Sequence, residues 1–271
     1  MTYETVKYEK VDGIALLTFN RPQVMNAHNY QMKVEEQAAA EEARDDPEVR
    51  VLVLIGEGRG FHSGEDVKDV FLGEDFSRLK ADRIQHLVGG LDPEAWTGQV
   101  SPKYFYGFPK PTIAAVNGPA VGAGLSIALS CDIRVASDEA KFGYFYTRRG
   151  LMGTNKGLVM LMHLVGVSRA LEMMLSGELM DAVEAERTGL VSEVVSREVL
   201  VERAYEKARK LMNGAPLAQK AIKTSMYKAL FEPDGLDYYN KLVEAALAET
   251  EDHAEGSRAY AERRPPNWVG R

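Results

Sequence analysis

Twice in this chain an apolar run breaks at a glycine turn and leads into a segment able to open a helix. The first is VLVLIGEGRGFHSGEDVK at 51–68, the second KPTIAAVNGPAVGAGLSIALSCD at 110–132. Residues 51–55 are apolar without alternation, the mark of a strand buried on both faces of a parallel sheet. Glycine lets the backbone bend sharply and approach another group closely. A helix that starts near Gly122 would present its positive dipole end and its unpaired first-turn N–H groups. Two such turns facing one another would aim backbone N–H groups at a single oxygen. That is the construction of an oxyanion hole, with fixed donors around the point where charge develops on a carbonyl.

The rest of the chain supplies the frame. Residues 3–9 alternate as a strand, Asp12-Gly13 marks a hairpin turn, and 14–19 reads as the returning strand. Residues 29–44 are Ala/Glu-rich and helical, and a helix over 122–130 lies between strands at 112–116 and 132–136. The stretch 69–108 is punctuated by Gly89-Gly90, Pro93 and Pro102, and a helix over 74–88 followed by a loop is predicted there. Beyond about residue 155 the pattern turns mostly helical. Asp181 with Glu184 resembles a capping box and Gly189 a helix stop. Helices over 197–213, 216–230, 235–250 and 252–263 follow. Strand-and-helix units first and helices last predict an α/β fold, with a core over 1–200 and a helical C-terminal region over 201–271.

Of the 271 residues, 45% are hydrophobic and 27% charged, enough for a sizeable core. A net charge of −7 argues against electrostatic binding of DNA or RNA, which needs a basic footprint. Lys68, Arg263 and Arg264 remain available for a local phosphate contact. Cys131 is the single cysteine, so no intrachain disulfide can form. This suits a reducing, cytoplasmic setting, and Cys131 itself reads as a small buried residue. The opening MTYETVKYEK has no apolar signal core. No apolar run approaches the length of a membrane span.

Five segments carry a resemblance: NRPQVMNA (20–27), GRGFHSGEDVK (58–68), KPTIAAVNGPAVGAGLSIALSCDIRVAS (110–137), AKFGYFYTRRGLMG (140–153) and YAERRPPNWVG (260–270). On these, in this order, the chain resembles the crotonase, or enoyl-CoA hydratase/isomerase, family. The resemblance implies a spiral of ββα repeats with C-terminal helices that assemble a homotrimer or a dimer of trimers. It implies an acyl-CoA substrate, with coenzyme A as part of the thioester and neither a prosthetic group nor a metal. By motif, the backbone N–H groups of Glu65 and Ala123 are the oxyanion donors that stabilise a thioester enolate. Val24 and Met25 match a loop flanking the pantetheine arm. Glu65, Asp66, Val67 and Lys68 match the loop at the adenine part, with Lys68 near phosphate. Tyr260 and Arg263 match an aromatic and a cation that cover the nucleotide, often from a neighbouring subunit.

The departures from the family matter as much. Hydratases of this family carry two glutamates, at positions occupied here by Ser126 and Tyr146. Neither a serine hydroxyl nor a neutral phenol acts as a general base near pH 7 without strong activation. Ordinary two-glutamate hydration is therefore not expected. Decarboxylation, retro-aldol cleavage, C–C hydrolysis and non-catalytic acyl-CoA binding stay open. An RNA-binding relative is disfavoured by the net charge.

Several side chains carry two readings each. Tyr146 either donates a proton to the enolate or packs as an aromatic. Ser126 bonds substrate or its own helix backbone. His62 reaches the acyl pocket as an acid or base, or is a partly exposed bystander. The Glu65 carboxylate would repel an enolate if turned inward, so it is expected to point outward or to be protonated by burial; turned inward, it would be the leading general-base candidate. Asp66 is expected to cap the helix that follows. Arg148 and Arg149 pair with a substrate carboxylate or stay a solvated pair of charges. Thr154 stands where dehalogenase-type relatives have an aspartate nucleophile, which makes that chemistry improbable. The stretch 69–108 exceeds that of short family members by roughly a dozen residues, a length associated with function.

Overall fold

The computed structural model describes residues 3–71, 103–150, 157–231 and 233–271. The helix predicted over 74–88 and the residue Thr154 lie outside the described residues.

Asp12 and Gly13 both have positive φ, 50° and 78°. This turn matches the twist of a two-stranded hairpin and joins β1 (Val6–Val11) to its antiparallel partner β2 (Ile14–Phe19). β1 starts later than the alternation from residue 3 suggests. The amides of Glu4 and Thr5 are drawn instead to the Glu35 carboxylate, at 3.0 and 2.7 Å. Asn29 starts α1 (Tyr30–Asp45) by accepting from the Met32 amide at 2.9 Å.

Strands β3 (Val51–Gly56) and β4 (Thr112–Val116) are buried at every residue. β5 (Ala120–Val121) and the helix Ala123–Ser130 follow, then β6 (Ile133–Ser137) and β7 (Lys141–Gly143). β8 (Met180–Asp181) and β9 (Val194–Val195) come later. The main sheet has the order β1-β2-β3-β4-β6-β9 and is parallel beyond the hairpin. A smaller sheet, β5-β7-β8, stands beside it.

Alternation along the strands splits the core in two. Leu17, Phe19, Leu52, Leu54, Ala114 and Val116 join Met32 and Ala40 of α1 and Leu125 and Leu129 of the 123–130 helix. On the opposite face Ile14, Val51, Val53, Ile55, Ile113 and Val135 meet Leu200, Ala204 and Ala208 of the helix Leu200–Leu211. Each large aliphatic side chain so buried contributes about 1.5–3 kcal/mol. The second face is thus closed by residues from position 200 onward.

The predicted cap at Asp181 is present, its side chain accepting from the Glu184 amide at 2.9 Å. The C-terminal helices are Pro216–Phe231, Leu236–Ala248 and Glu251–Glu262. The first is tied to the sheet at Asp132, whose carboxylate accepts from the Thr112 amide at 2.7 Å, Lys223 Nζ at 2.9 Å and Tyr227 Oη at 3.0 Å. Cys131 is fully buried, as expected, and burial pushes its thiol up to about 12. The α/β core followed by helices agrees with the fold class read from the sequence. No helix among the described residues is long and apolar enough to cross a membrane.

Candidate functional site

The two glycine turns meet. The amides of Phe61 and His62 donate to the Pro119 carbonyl, both at 3.1 Å, and the Val121 amide donates to the His62 carbonyl at 2.9 Å. Pairing this close needs a bare α-carbon at Gly124, where a Cβ would collide with the His62 carbonyl. Gly64 has φ of 97°, a left-handed conformation, and a Cβ built there would lie 3.0 Å from Val121 O and 3.5 Å from Ala123 N. The first turn therefore lies directly against the second. The Gly122 amide donates to Gly143 O at 2.9 Å, which docks the second turn on β7.

A cleft opens between the turns. Residues 63–65 and 121–123 line it, together with Phe145, Tyr146 and Arg149. Glu65 and Ala123 are both part of this lining, and neither backbone amide donates a hydrogen bond to a described residue. Ala123 opens its helix, so its N–H has no intrahelical acceptor. Chemically, the backbone N–H groups of Glu65 and Ala123 are donors left without a described acceptor at residues that line the cleft.

His62 corrects the sequence reading. It is neither partly exposed nor part of the cleft lining. It is fully buried and packs edge-on against His28, ring centroids 4.1 Å apart, and against Phe19 at 5.1 Å. Its Nδ1 accepts from the Gly64 amide at 3.0 Å, so the neutral ring carries its proton on Nε2, which is buried without a hydrogen-bond partner among the described residues. Burial first, then the neighbouring His28, Lys33 and Arg21, hold its pKa well below the usual imidazole range. It supports the Gly64 turn from behind.

Glu65 is explained by a residue that the sequence reading passed over. Lys33 Nζ on α1 lies 2.7 Å from Glu65 Oε2, an ion-pair contact that does not align as a hydrogen bond. Lys33 lies on the buried face of α1 with Met32, Glu36 and Ala40. A lysine at that spacing was the available signal. His28 and Glu36 form a second buried contact beside it, Nε2 to Oε2 at 2.6 Å.

Tyr146 lines the cleft and stacks on Tyr144, centroids 5.2 Å apart and planes at 21°. Ser126 is fully buried, outside the cleft lining, and its Oγ is 2.9 Å from Tyr144 Oη. Burial raises the Tyr144 phenol well above its ordinary value. Tyr144, missed in the sequence, thus links the positions of Ser126 and Tyr146. Arg148 and Arg149 part company. Arg148 lies over the Phe145 ring at 5.3 Å with its Nε 3.5 Å from Ser176 O, while Arg149 joins the cleft lining.

The residues assigned to coenzyme A fall in two places. The Ser63 amide donates to Met25 O at 2.9 Å and Ser63 Oγ to Val24 O at 3.1 Å, so the 24–25 loop abuts the first turn. Asp66 accepts from the Lys68 and Asp69 amides at 3.2 and 3.5 Å, the capping position expected of it, and pairs with Arg21 at 3.1 Å. Val67 and Lys68 are exposed. Tyr260, 90% exposed, is instead at the C-terminal helices, on a separate cavity of about 490 Å³ with Leu247 and Trp268. Arg263 caps the last helix with φ of 53°. Within one chain these two residues do not join the cleft lining.

Comparison with known proteins agrees with this architecture. Residues 9–271 match the family model described as enoyl-CoA hydratase/isomerase. A probable enoyl-CoA hydratase of Mycobacterium tuberculosis is 34% identical over 275 residues, covering the whole of both chains. The 2,3-dehydroadipyl-CoA hydratase of Escherichia coli is 34% identical over 260 residues, covering 95% of this chain and 96% of the relative. A crystal structure of an enoyl-CoA hydratase subunit from Geobacillus kaustophilus superposes with a TM-score of 0.85 at 33% identity, covering 99% of each chain.

Proposed function

Because the chain belongs to the enoyl-CoA hydratase/isomerase, or crotonase, family, we propose that the cleft takes the thioester carbonyl of an acyl-CoA, with the amides of Glu65 and Ala123 as its oxyanion donors. The observation that carries this reading is the contact of the two turns at Gly64 and Ala123. Each amide lacks a described protein acceptor. Losing one such donor typically costs about 3 kcal/mol of transition-state stabilisation.

The reaction proposed is enolate chemistry other than two-glutamate hydration. Among the described residues, the carboxylate on the cleft is that of Glu65, and it is occupied by Lys33. Ser126 is turned to Tyr144. Tyr146 is the phenol on the cleft and the proposed proton donor to the enolate. Decarboxylation, retro-aldol cleavage and C–C hydrolysis each pass through such an intermediate. The second reading, a non-catalytic acyl-CoA-binding protein, keeps the donors and omits the proton transfer.

Val24, Met25 and residues 65–68 are proposed to hold the pantetheine and adenine parts in cis, and Tyr260 and Arg263 to reach a neighbouring subunit's nucleotide. Exposed Ile222, Met226, Tyr238 and Leu242 on the C-terminal helices support a trimer built through region 201–271. A cytoplasmic site of action is in keeping with the single cysteine.

The test is mass spectrometry of a panel of alkyl, aryl, malonyl-type and β-keto CoA thioesters incubated with the protein. Turnover of at least one is expected, with crotonyl-CoA hydration ~10³-fold or more below that of a two-glutamate enzyme. Thermal stabilisation by thioesters without turnover of any would select the non-catalytic reading. No stabilisation by any would end the acyl-CoA assignment.

A further inference from the structure

The two adjacent arginines of the cleft rim differ in what they are doing. Arg148 is used within the fold, over Phe145 and against the carbonyl of Ser176, with its side chain packed beneath Gly177. Arg149 is exposed, lines the cleft, and has no acidic partner among the described residues. The opposite charge on the cleft, at Glu65, already faces Lys33. Among the described residues, the cleft is left with one uncompensated charge, a guanidinium.

The backbone that carries that guanidinium is fixed. The Arg149 amide donates to Tyr146 O at 3.0 Å and the Gly150 amide to Thr147 O at 3.2 Å, closing a short helical turn. The turn follows β7, whose Gly143 carbonyl holds the Gly122 amide at 2.9 Å. The arginine and the second amide turn are therefore joined through a single strand end. A guanidinium offers paired N–H donors that suit a carboxylate, and it stays charged at every working pH.

Resting on the acyl-CoA reading above, the geometry points to Arg149 as a specificity residue. It would bind a carboxylate on the acyl part, so that the preferred substrates are CoA monothioesters of dicarboxylic acids. An anionic group could also reach Arg149 from the phosphates of coenzyme A, and the test separates the two sources.

Affinities are measured by calorimetry for pairs of equal length: succinyl- with butyryl-CoA, glutaryl- with valeryl-CoA and adipyl- with hexanoyl-CoA, with free coenzyme A alongside. For at least one pair the carboxylated member should bind about tenfold tighter or better. Arg149→Gln should erase that difference while the affinity for the methyl-ended partner is kept, and Arg149→Lys should restore part of it. Equal affinities within all three pairs in the native protein would overturn the proposal. So would an Arg149→Gln variant that weakens free coenzyme A as much as the carboxylated thioesters, which would assign Arg149 to phosphate. Absence of binding by every thioester would instead bring down the acyl-CoA reading on which this rests.

Discussion

Lys33 Nζ lies 2.7 Å from Glu65 Oε2, so a carboxylate one residue past the Gly64 turn is held against a cation on α1. Without Lys33 that charge would stand beside the proposed enolate site. It would raise the energy of the negative intermediate and lose its own compensation.

Lys33→Met should destabilise the fold by about 1–3 kcal/mol, the range for removing one partner of a partly buried pair. It should also weaken acyl-CoA binding or turnover. The double variant Lys33→Met/Glu65→Gln should recover most of the stability, because no charge is then left unmatched. Denaturant titration of the three variants is the check, and additive losses in the double variant would mean that the two residues do not act as a pair.

His62 gives a pH dependence with a defined sign. Its folded pKa is depressed by burial, so the unfolded chain takes up a proton, near pH 6.5, that the folded chain refuses. Stability from this residue is whole above that pH and is lost as the pH falls below it, by up to about 1.4 kcal/mol per pH unit. Thermal melts at pH 7.5, 6.5 and 5.5 should show the decline. His62→Gln, which keeps an acceptor for the Gly64 amide, should flatten it; an unchanged slope would place the effect in another group.

Gly124→Ala should be among the most damaging single-methyl additions in the protein. Its Cβ would meet the His62 carbonyl, a backbone atom in a paired segment, so the two turns must separate. A loss of about 2 kcal/mol or more is expected, along with loss of thioester-induced stabilisation. Full stability and binding in this variant would contradict the contact of the two turns.

Tyr146→Phe removes a hydroxyl while keeping the stack on Tyr144. If Tyr146 passes a proton in the reaction, kcat should fall ~10²-fold or more for whichever thioester is turned over. Unchanged kinetics would reassign the residue to packing.

Much of the frame is legible in the sequence because its signals are local. Asp12-Gly13 can form only a few kinds of turn, Asp181 caps the helix that follows it, and the apolar run at 51–55 has no solvent-facing alternative. The small sheet was not legible. β5 and β8 are two residues long and β7 three, too short to show any periodicity, and their pairing is set by tertiary contacts such as the Gly122 amide on the Gly143 carbonyl. The site divides the same way. The glycines announce the turns, whereas the burial of His62 and the pairing of Lys33 with Glu65 depend on α1 crossing behind a loop more than thirty residues further along. Ser126 with Tyr144 is likewise a tertiary contact between a helix and the segment after β7.

Glu65 and Ala123 line the cleft, and the oxyanion donors proposed there are main-chain amides, which has a consequence for how such a protein can change over time. No exchange of one non-proline amino acid for another deletes an N–H, so mutation can rewrite the neighbouring side chains while the amides stay in place. Proline is the exception, since it alone lacks the N–H. A lineage built on this layout is free to trade one reaction for another without first surrendering its grip on the substrate.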